Sequence, residues 1–169
     1  MEIVRANKSH IPEISRLFDL YRQFYECKPD IELAEKFITE RIDNGESVIF
    51  VASVGDKLKG FTQMYPSFCS VDAIKIFILY DIYVDDCVRK LGIGASLMNK
   101  ASEYARGEGA SRIDLMTAYS NKPGQHLYEK IGYRHHGPVL SIEPQHDRRH
   151  CRRCRPGRHC LGHGPGQHH

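Results

Sequence analysis

Residues 88–101, VRKLGIGASLMNKA, decide the fold. Two basic residues, Arg89 and Lys90, lead into Gly92 and Gly94, and the segment that follows has the apolar spacing of a helix. Glycines let backbone N–H groups approach a ligand closely, and a helix N-terminus adds unsatisfied donors and a partial positive charge. The stretch therefore predicts an anion site, and phosphate is the natural anion for it.

Two well-known phosphate-binding motifs do not fit this stretch. The dinucleotide fingerprint needs a small residue three positions after its second glycine, and that position is Leu97. A Walker loop needs Gly-Lys followed by Ser or Thr, which the stretch lacks. The string that remains is Arg89-x-x-Gly92-x-Gly94.

Hydrophobic periodicity around this stretch predicts elements in the order βααβββαβαβ. Strands are predicted at residues 3–6, 47–54, 58–68, 73–84 and 112–118 and from 132 onward, and helices at 10–25, 30–43, 92–107 and 122–130. Ser9 is the expected cap of the first helix, with Pro12 in its first turn. The strand–helix–strand order in the second half predicts a parallel pair within a mixed sheet.

The composition is that of a globular protein, since 169 residues suffice for one domain with a substantial core. No apolar run is long enough to span a bilayer. The N-terminal MEIVRANKSH lacks the apolar centre of a signal peptide. These features predict a cytoplasmic protein that does not associate with membranes.

Charge and composition change abruptly near residue 145. Residues 145–169 contain six Arg, six of the ten His and three of the six Cys. Of the formal net charge of +3, this tail accounts for +5, so residues 1–144 carry −2. We predict a domain at 1–144 and a separate basic tail at 145–169 that is disordered or non-native.

The tail has residue types that bind zinc or nucleic acid. Cys151, Cys154 and Cys160 stand among histidines, yet their spacing matches no established zinc module. The arginines could contact phosphates, but no aromatic residue is available to stack on a base. We therefore expect no metal and no nucleic-acid partner, and the composition is typical of a shifted reading frame or added sequence.

A second motif, residues 121–133 (NKPGQHLYEKIGY), follows the first after one helix and one strand. Together the two motifs resemble the GNAT superfamily of acetyl-CoA-dependent N-acetyltransferases. The resemblance covers residues 2–134 in order of elements. The stretches GFTQMYPSF and LYDIYV are most similar to small bacterial amine acetyltransferases related to histone- and polyamine-acetylating enzymes. The family pattern ends near Arg134, which leaves the last strand, and any homodimer contact made by it, open.

The resemblance implies an α/β fold with a mixed, mostly antiparallel sheet flanked by helices and a splayed parallel strand pair that holds the cofactor. It implies transfer of acetyl from acetyl-CoA directly to a primary amine, which could be a small amine, a polyamine or a lysine-like peptidyl amine. Two alternatives stay open, a non-catalytic acyl-CoA sensor and a metal- or nucleic-acid-binding protein acting through the tail.

The resemblance also assigns roles to individual residues. Tyr128 would face the thioester sulfur, which makes it the candidate donor of a proton to the leaving thiolate. Separately, the position of Asp81 just before Ile82 makes it a candidate to draw the cationic amine or relay its proton. A structural role is the alternative for each, as a core tyrosine and as a carboxylate that binds a loop. The residues expected to bind coenzyme A are Ile82, Tyr83, Val84, Arg89, Lys90, Leu91, Gly92, Ile93, Gly94, Ala95, Asn121 and Tyr128.

Overall fold

The computed structural model of the chain describes residues 1–136 and 139–142. The helices in this part are α1 (Ile11–Phe24), α2 (Ile31–Asp43), α3 (Ile93–Gly107) and α4 (Lys122–Lys130). The strands are β1 (Glu2–Arg5), β2 (Val48–Val54), β3 (Lys57–Cys69), β4 (Ile74–Val84), β5 (Arg112–Leu115), β6 (Arg134–His136) and β7 (Val139–Ile142). The predicted tail at 145–169 lies outside the described residues.

The strands form one seven-stranded sheet in the order β1-β2-β3-β4-β5-β7-β6. Neighbouring strands are antiparallel except β4 and β5, which pair in parallel from Ile76↔Arg112 to Leu79↔Leu115. The predicted mixed, mostly antiparallel sheet with a parallel pair is therefore confirmed. Because β4 and β5 are parallel, α3 connects them as a crossover.

Each face of the sheet is covered by a different set of helices, and each buries its own apolar cluster. On one face, which we call the α3 face, Ile93, Leu97 and Met98 of α3 pack on Phe77 and Leu79 of β4. The opposite, α1–α2 face is covered by α1 and α2, whose buried residues pack on β2 and β3. Its fully buried residues include Ile14, Leu17, Ala34, Ile38, Val51 and Phe61.

A β-bulge interrupts the pairing of β3 with β4. Gln63 lies opposite Asp81, whereas the next residue, Met64, lies opposite Leu79, so Tyr80 is an extra residue on β4. Side chains alternate between the two faces of a strand, and one extra residue reverses that alternation. The bulge therefore changes which face each residue after Tyr80 contacts.

The core contacts of β4 follow this reversal. Before the bulge, Phe77 and Leu79 belong to the cluster on the α3 face. After it, Ile82 and Val84 pack on that same face, and Asp81 lies on the α1–α2 face among aromatic side chains of α1 and α2. Without the bulge, Asp81 would follow Leu79 into the apolar α3 face.

Two side chains satisfy backbone carbonyls at the bulge. The Tyr21 hydroxyl of α1 donates to the Tyr80 carbonyl at 3.2 Å. The buried Thr62 hydroxyl donates to the Asp81 carbonyl at 2.9 Å. Because an unpaired buried carbonyl is costly, these bonds help hold the bulge in one conformation.

The structure corrects three sequence-based boundaries. Asn7, rather than Ser9, provides the cap at the start of the α1 region, because its side chain accepts from Ser9 N at 2.9 Å in a short 3₁₀ turn. Strand β5 ends at Leu115 instead of residue 118. The single last strand expected from residue 132 is a pair, β6 and β7, with β7 inserted beside β5.

One property of the helices bears on the prediction that no segment spans a membrane. Among the described residues, no helix combines the length and the apolar character needed to cross a bilayer.

Candidate functional site

The predicted anion loop connects β4 to α3 and has an unusual backbone. Lys90 and Gly92 have positive φ angles of 67° and 80°. Such angles strain most side chains, so glycine suits the second position. Gly92 immediately precedes α3, and no side chain caps this helix.

The start of α3 is consequently available to an anion. The first helical hydrogen bond runs from Ser96 N to Gly92 O at 3.0 Å. The N–H groups of Ile93, Gly94 and Ala95 therefore precede the hydrogen-bond ladder and lack an intrahelical acceptor. With the helix dipole behind them, these donors fit a pyrophosphate.

Gly94 lies where β4, α3 and α4 meet. A Cβ atom at this position would be 3.0 Å from Leu127 Cδ2 and 3.9 Å from Val84 Cγ2. The first distance is tighter than ordinary van der Waals contact, so the Leu127 side chain would have to shift to admit a larger residue. Gly94 therefore serves close packing as well as backbone access.

Contacts within the loop hold the side chain of Arg89 in place. Arg89 donates from Nε to the Val84 carbonyl at 3.1 Å, and its guanidinium lies 5.8 Å from the centre of the Tyr83 ring. It also forms an ion pair with Asp86. The Arg89 charge is therefore partly balanced within the loop and fixed near the end of β4.

The parallel strands separate next to this loop. Pairing of β4 with β5 ends at Leu79↔Leu115, while β4 continues to Val84. In the described part of the chain, residues 80–84 of β4 therefore have no strand partner on the β5 side. A backbone edge of this kind can hydrogen-bond an extended amide chain, which is the chemistry of a pantetheine arm.

A cavity of about 280 Å³ opens on the α1–α2 face beside the bulge. It is lined by Phe18, Phe37, Tyr65, Tyr80 and Asp81. Asp81 is 8% exposed, and it is the charged residue in this otherwise aromatic lining. We call this cavity the aromatic pocket.

A chain of buried hydrogen bonds holds the Asp81 carboxylate. The Ser47 hydroxyl donates to Gln63 Oε1 at 2.8 Å, and Gln63 Nε2 donates to Asp81 Oδ2 at 2.7 Å. Because the Gln63 oxygen accepts from Ser47, the Gln63 amide nitrogen is the end that contacts Asp81. Oδ2 is thereby a hydrogen-bond acceptor, and Gln63 fixes the orientation of the carboxylate.

Burial raises the pKa of Asp81, and hydrogen bonds from Gln63 and Tyr21 oppose that rise. A carboxylate with a raised pKa is a stronger base than an exposed aspartate. Such a group, in a pocket wall, is a candidate proton acceptor.

Tyr128 of α4 is 5% exposed and belongs to the core cluster on the α3 face. Its ring centre lies 6.0 Å from that of Tyr133. Burial raises the pKa of Tyr128 to about 12, and a hydrogen bond with Thr117 opposes the rise. The hydroxyl is therefore protonated at neutral pH and can donate a proton. Tyr128 is thus packed like a core residue and is also a possible proton donor.

Asn121 has a structural task that its motif did not indicate. Its Oδ1 accepts from Gly124 N at 3.1 Å, which caps α4. Its Nδ2 donates to Thr117 Oγ1 at 3.1 Å. Asn121 and Tyr128 are thus joined through Thr117, and the second amide hydrogen of Asn121 still has donor capacity for a ligand.

Sequence reasoning missed Tyr21 and Gln63. The helical spacing of Tyr21 indicated only a packing residue of α1, yet its hydroxyl lies within hydrogen-bonding reach of Asp81. Burial raises the pKa of Tyr21, and the charge of Asp81 raises it further, while Tyr128 adds a smaller effect. Tyr21 is thus electrostatically coupled to both candidate catalytic residues.

Within the described residues, no group of three or more His, Cys, Asp and Glu side chains is arranged to hold a metal ion. The polar groups at the site are instead hydrogen-bond donors, namely backbone N–H groups and phenol hydroxyls, and one carboxylate that accepts.

Comparison with known proteins gives one consistent result. The sequence profile of the acetyltransferase (GNAT) family matches residues 14–133. An uncharacterized N-acetyltransferase of Bacillus subtilis is 40% identical over 133 residues, which are 79% of this chain and 89% of that protein. A thialysine N-epsilon-acetyltransferase of Caenorhabditis elegans is 23% identical over 132 residues, 78% of this chain and 82% of that protein.

A solved structure agrees with the sequence relatives. The crystal structure of a probable acetyltransferase superimposes with a TM-score of 0.76 at 36% identity. The match covers 81% of this chain and 92% of that one.

Proposed function

Because the chain belongs to the acetyltransferase (GNAT) family and is an acyltransferase, we propose that it transfers acetyl from acetyl-CoA directly to a primary amine. One observation carries the proposal. The aromatic pocket with its buried carboxylate adjoins the part of β4 whose other side is open and whose end leads into the anion loop. A donor bound along that edge and an amine bound in the pocket would meet at β4.

The donor side has three parts in this proposal. The backbone of Arg89, Lys90, Leu91, Gly92, Ile93, Gly94 and Ala95 binds the pyrophosphate. The open edge formed by Ile82, Tyr83 and Val84 hydrogen-bonds the pantetheine arm, as an added strand would. Asn121 contributes an amide donor, and the hydroxyl of Tyr128 faces the sulfur. The fit rests on the uncapped helix start and on the tight packing at Gly94.

On the acceptor side, the chain has to produce a neutral amine. A lysine-like amine has a pKa of about 10.4 and is cationic at neutral pH. Asp81 attracts the cation and takes one proton, while Gln63 holds Oδ2. The neutral nitrogen then attacks the thioester carbonyl, the carbon–sulfur bond breaks, and Tyr128 supplies a proton to the departing thiolate. The nitrogen becomes cationic on attack and releases its second proton as the amide forms, and that proton restores the Tyr128 hydroxyl directly or through water.

The name of the nematode relative supports an amine of this kind, since thialysine is a lysine analogue and that enzyme acts on its terminal nitrogen. We propose a small or lysine-like primary amine as the acceptor.

The experiment measures acetyl-CoA turnover with a panel of primary amines, and the release of the free coenzyme A thiol is the signal that is monitored. Saturable turnover with at least one small amine is expected. Acetyl-CoA binding measured by calorimetry, without turnover of any amine, would favour the non-catalytic sensor. Absence of binding as well would reject the proposed donor site.

A further inference from the structure

The aromatic pocket has two pairs of rings in its walls. Phe18 of α1 and Phe37 of α2 are stacked, with ring centres 5.2 Å apart. Tyr65 of β3 and Tyr80 of β4 meet edge to face at 5.6 Å. Asp81 completes the lining. Aromatic faces attract cations and also favour apolar groups, so these walls suit an ammonium attached to a hydrocarbon body.

The residues that line the pocket can balance one positive charge. Burial raises the pKa of Tyr65 to about 12, so this phenol is neutral at physiological pH. Arg41 and Glu46 also act on Tyr65; Arg41 pairs with Glu46 at 2.6 Å and with Glu40 at 3.4 Å, and none of these three residues lines the pocket. Tyr21 is neutral too, because burial raises its pKa. Asp81 is therefore the lining group that can balance an ammonium.

Taking the proposed function as given, we infer that the aromatic pocket selects a compact primary amine that carries one positive charge and an apolar body, over diamines and polyamines. A second ammonium in the pocket would lose its hydration without a carboxylate to pair with, which is costly. The cavity of about 280 Å³ also limits the occupant to a small molecule or a single side chain.

Pentylamine and 1,5-diaminopentane test this inference, because they have the same five-carbon chain and differ in one terminal ammonium. With saturating acetyl-CoA, we expect kcat/KM for pentylamine to exceed that for the diamine by about tenfold or more. Calorimetric titration of each amine into the full chain without acetyl-CoA should give the same order of affinity. This second readout does not depend on catalysis.

A charge-adding variant tests the location. Tyr80 is 55% exposed, so Tyr80→Glu should fold while adding a second carboxylate to the pocket wall. The preference should shift toward the diamine by about tenfold. Phe68→Glu is the matched control, since Phe68 is 74% exposed, lies three residues beyond Tyr65 in β3 and does not line the pocket. It should leave the preference unchanged.

A charge-removing variant provides a second test. Asp81→Asn keeps the shape of the side chain and an oxygen for Gln63, and it should weaken pentylamine binding in the calorimeter by about tenfold. Equal or better use of the diamine by the wild-type protein would overturn the inference. So would an unchanged preference in Tyr80→Glu or unchanged binding in Asp81→Asn. Turnover of the diamine but not of pentylamine would overturn the inference and leave the proposed function standing. Tight binding of pentylamine without turnover would support the inference about the pocket and contradict the proposed function.

Discussion

The substitution Asp81→Asn should make the protein more stable and less active. Asp81 is buried in the aromatic pocket, and burial raises its pKa. Asparagine has nearly the same shape, and its oxygen can still accept from Gln63 Nε2, which lies 2.7 Å from Asp81 Oδ2. The change therefore removes the titratable group and little else.

The stability effect has a definite dependence on pH. An aspartate titrates near pH 3.9 in the unfolded chain, and its pKa is higher in the folded protein. The folded state then binds more protons between the two values, so stability falls as pH rises through that interval. Each pKa unit of difference corresponds to about 1.4 kcal/mol at neutral pH. The gain of Asp81→Asn should be full at pH 7 and absent below pH ~3.9.

The loss of activity follows from the loss of the proton acceptor. Removing a general base typically lowers the rate by about 10²- to 10⁴-fold, so kcat/KM should fall by that order. Urea unfolding at several pH values and steady-state kinetics on both proteins are the measurements. Asp72→Asn is the control, because hydrogen bonds with Arg112 and Cys69 lower the pKa of Asp72, so its stability change should have the opposite sign and activity should persist. An Asp81→Asn protein that is less stable at pH 7, or equally active, would refute the reasoning.

Three further substitutions or deletions test other parts of the proposal. Tyr128→Phe should keep the melting temperature within a few degrees, because Thr117 retains its contact with Asn121, and should lower kcat by ~10²-fold; equal kcat would remove Tyr128 from the mechanism. Gly94→Val should weaken acetyl-CoA binding strongly in calorimetry, because its side chain meets Leu127 and covers the helix start; unchanged affinity in a folded variant would reject the loop as the phosphate site. Deletion of residues 145–169 should leave acetyl transfer intact, since the tail has too few apolar residues to form a core; a folded but inactive product would contradict this.

Local patterns were enough to predict most of the fold and to propose residues for the donor side of the site. The glycines and basic residues of residues 88–94 are adjacent in sequence, so they indicate a turn and a helix start without knowledge of the rest of the chain. The helices could be located in the same way because their apolar spacing is regular. The strand–helix–strand order in the second half of the chain predicted a parallel pair, which the pairing of β4 with β5 confirms.

The sequence singled out Asp81 for the acceptor side, but the surroundings of Asp81 could not be predicted in this way, because they depend on pairing between distant segments. In β4, the residues around Leu79 are apolar on both sides, so the sequence shows no alternation from which a bulge at Tyr80 could be detected. Gln63 reaches Asp81 only through the register of β3 with β4. A glutamine in an apolar strand was the available signal, since a buried amide requires partners.

The bulge at Tyr80 connects the two halves of the proposed site. Pairing with β5 ends at Leu79, one residue before the bulge, and the open edge begins there. The same extra residue turns Asp81 from the apolar α3 face to the aromatic pocket. In a regular ladder that retained Tyr80, Asp81 would lie opposite Thr62 on the side of Phe77 and Leu79, where it would have neither Gln63 nor an amine to contact. A single irregularity in β4 thus accounts for both an edge that can bind the donor and a carboxylate that can deprotonate the acceptor.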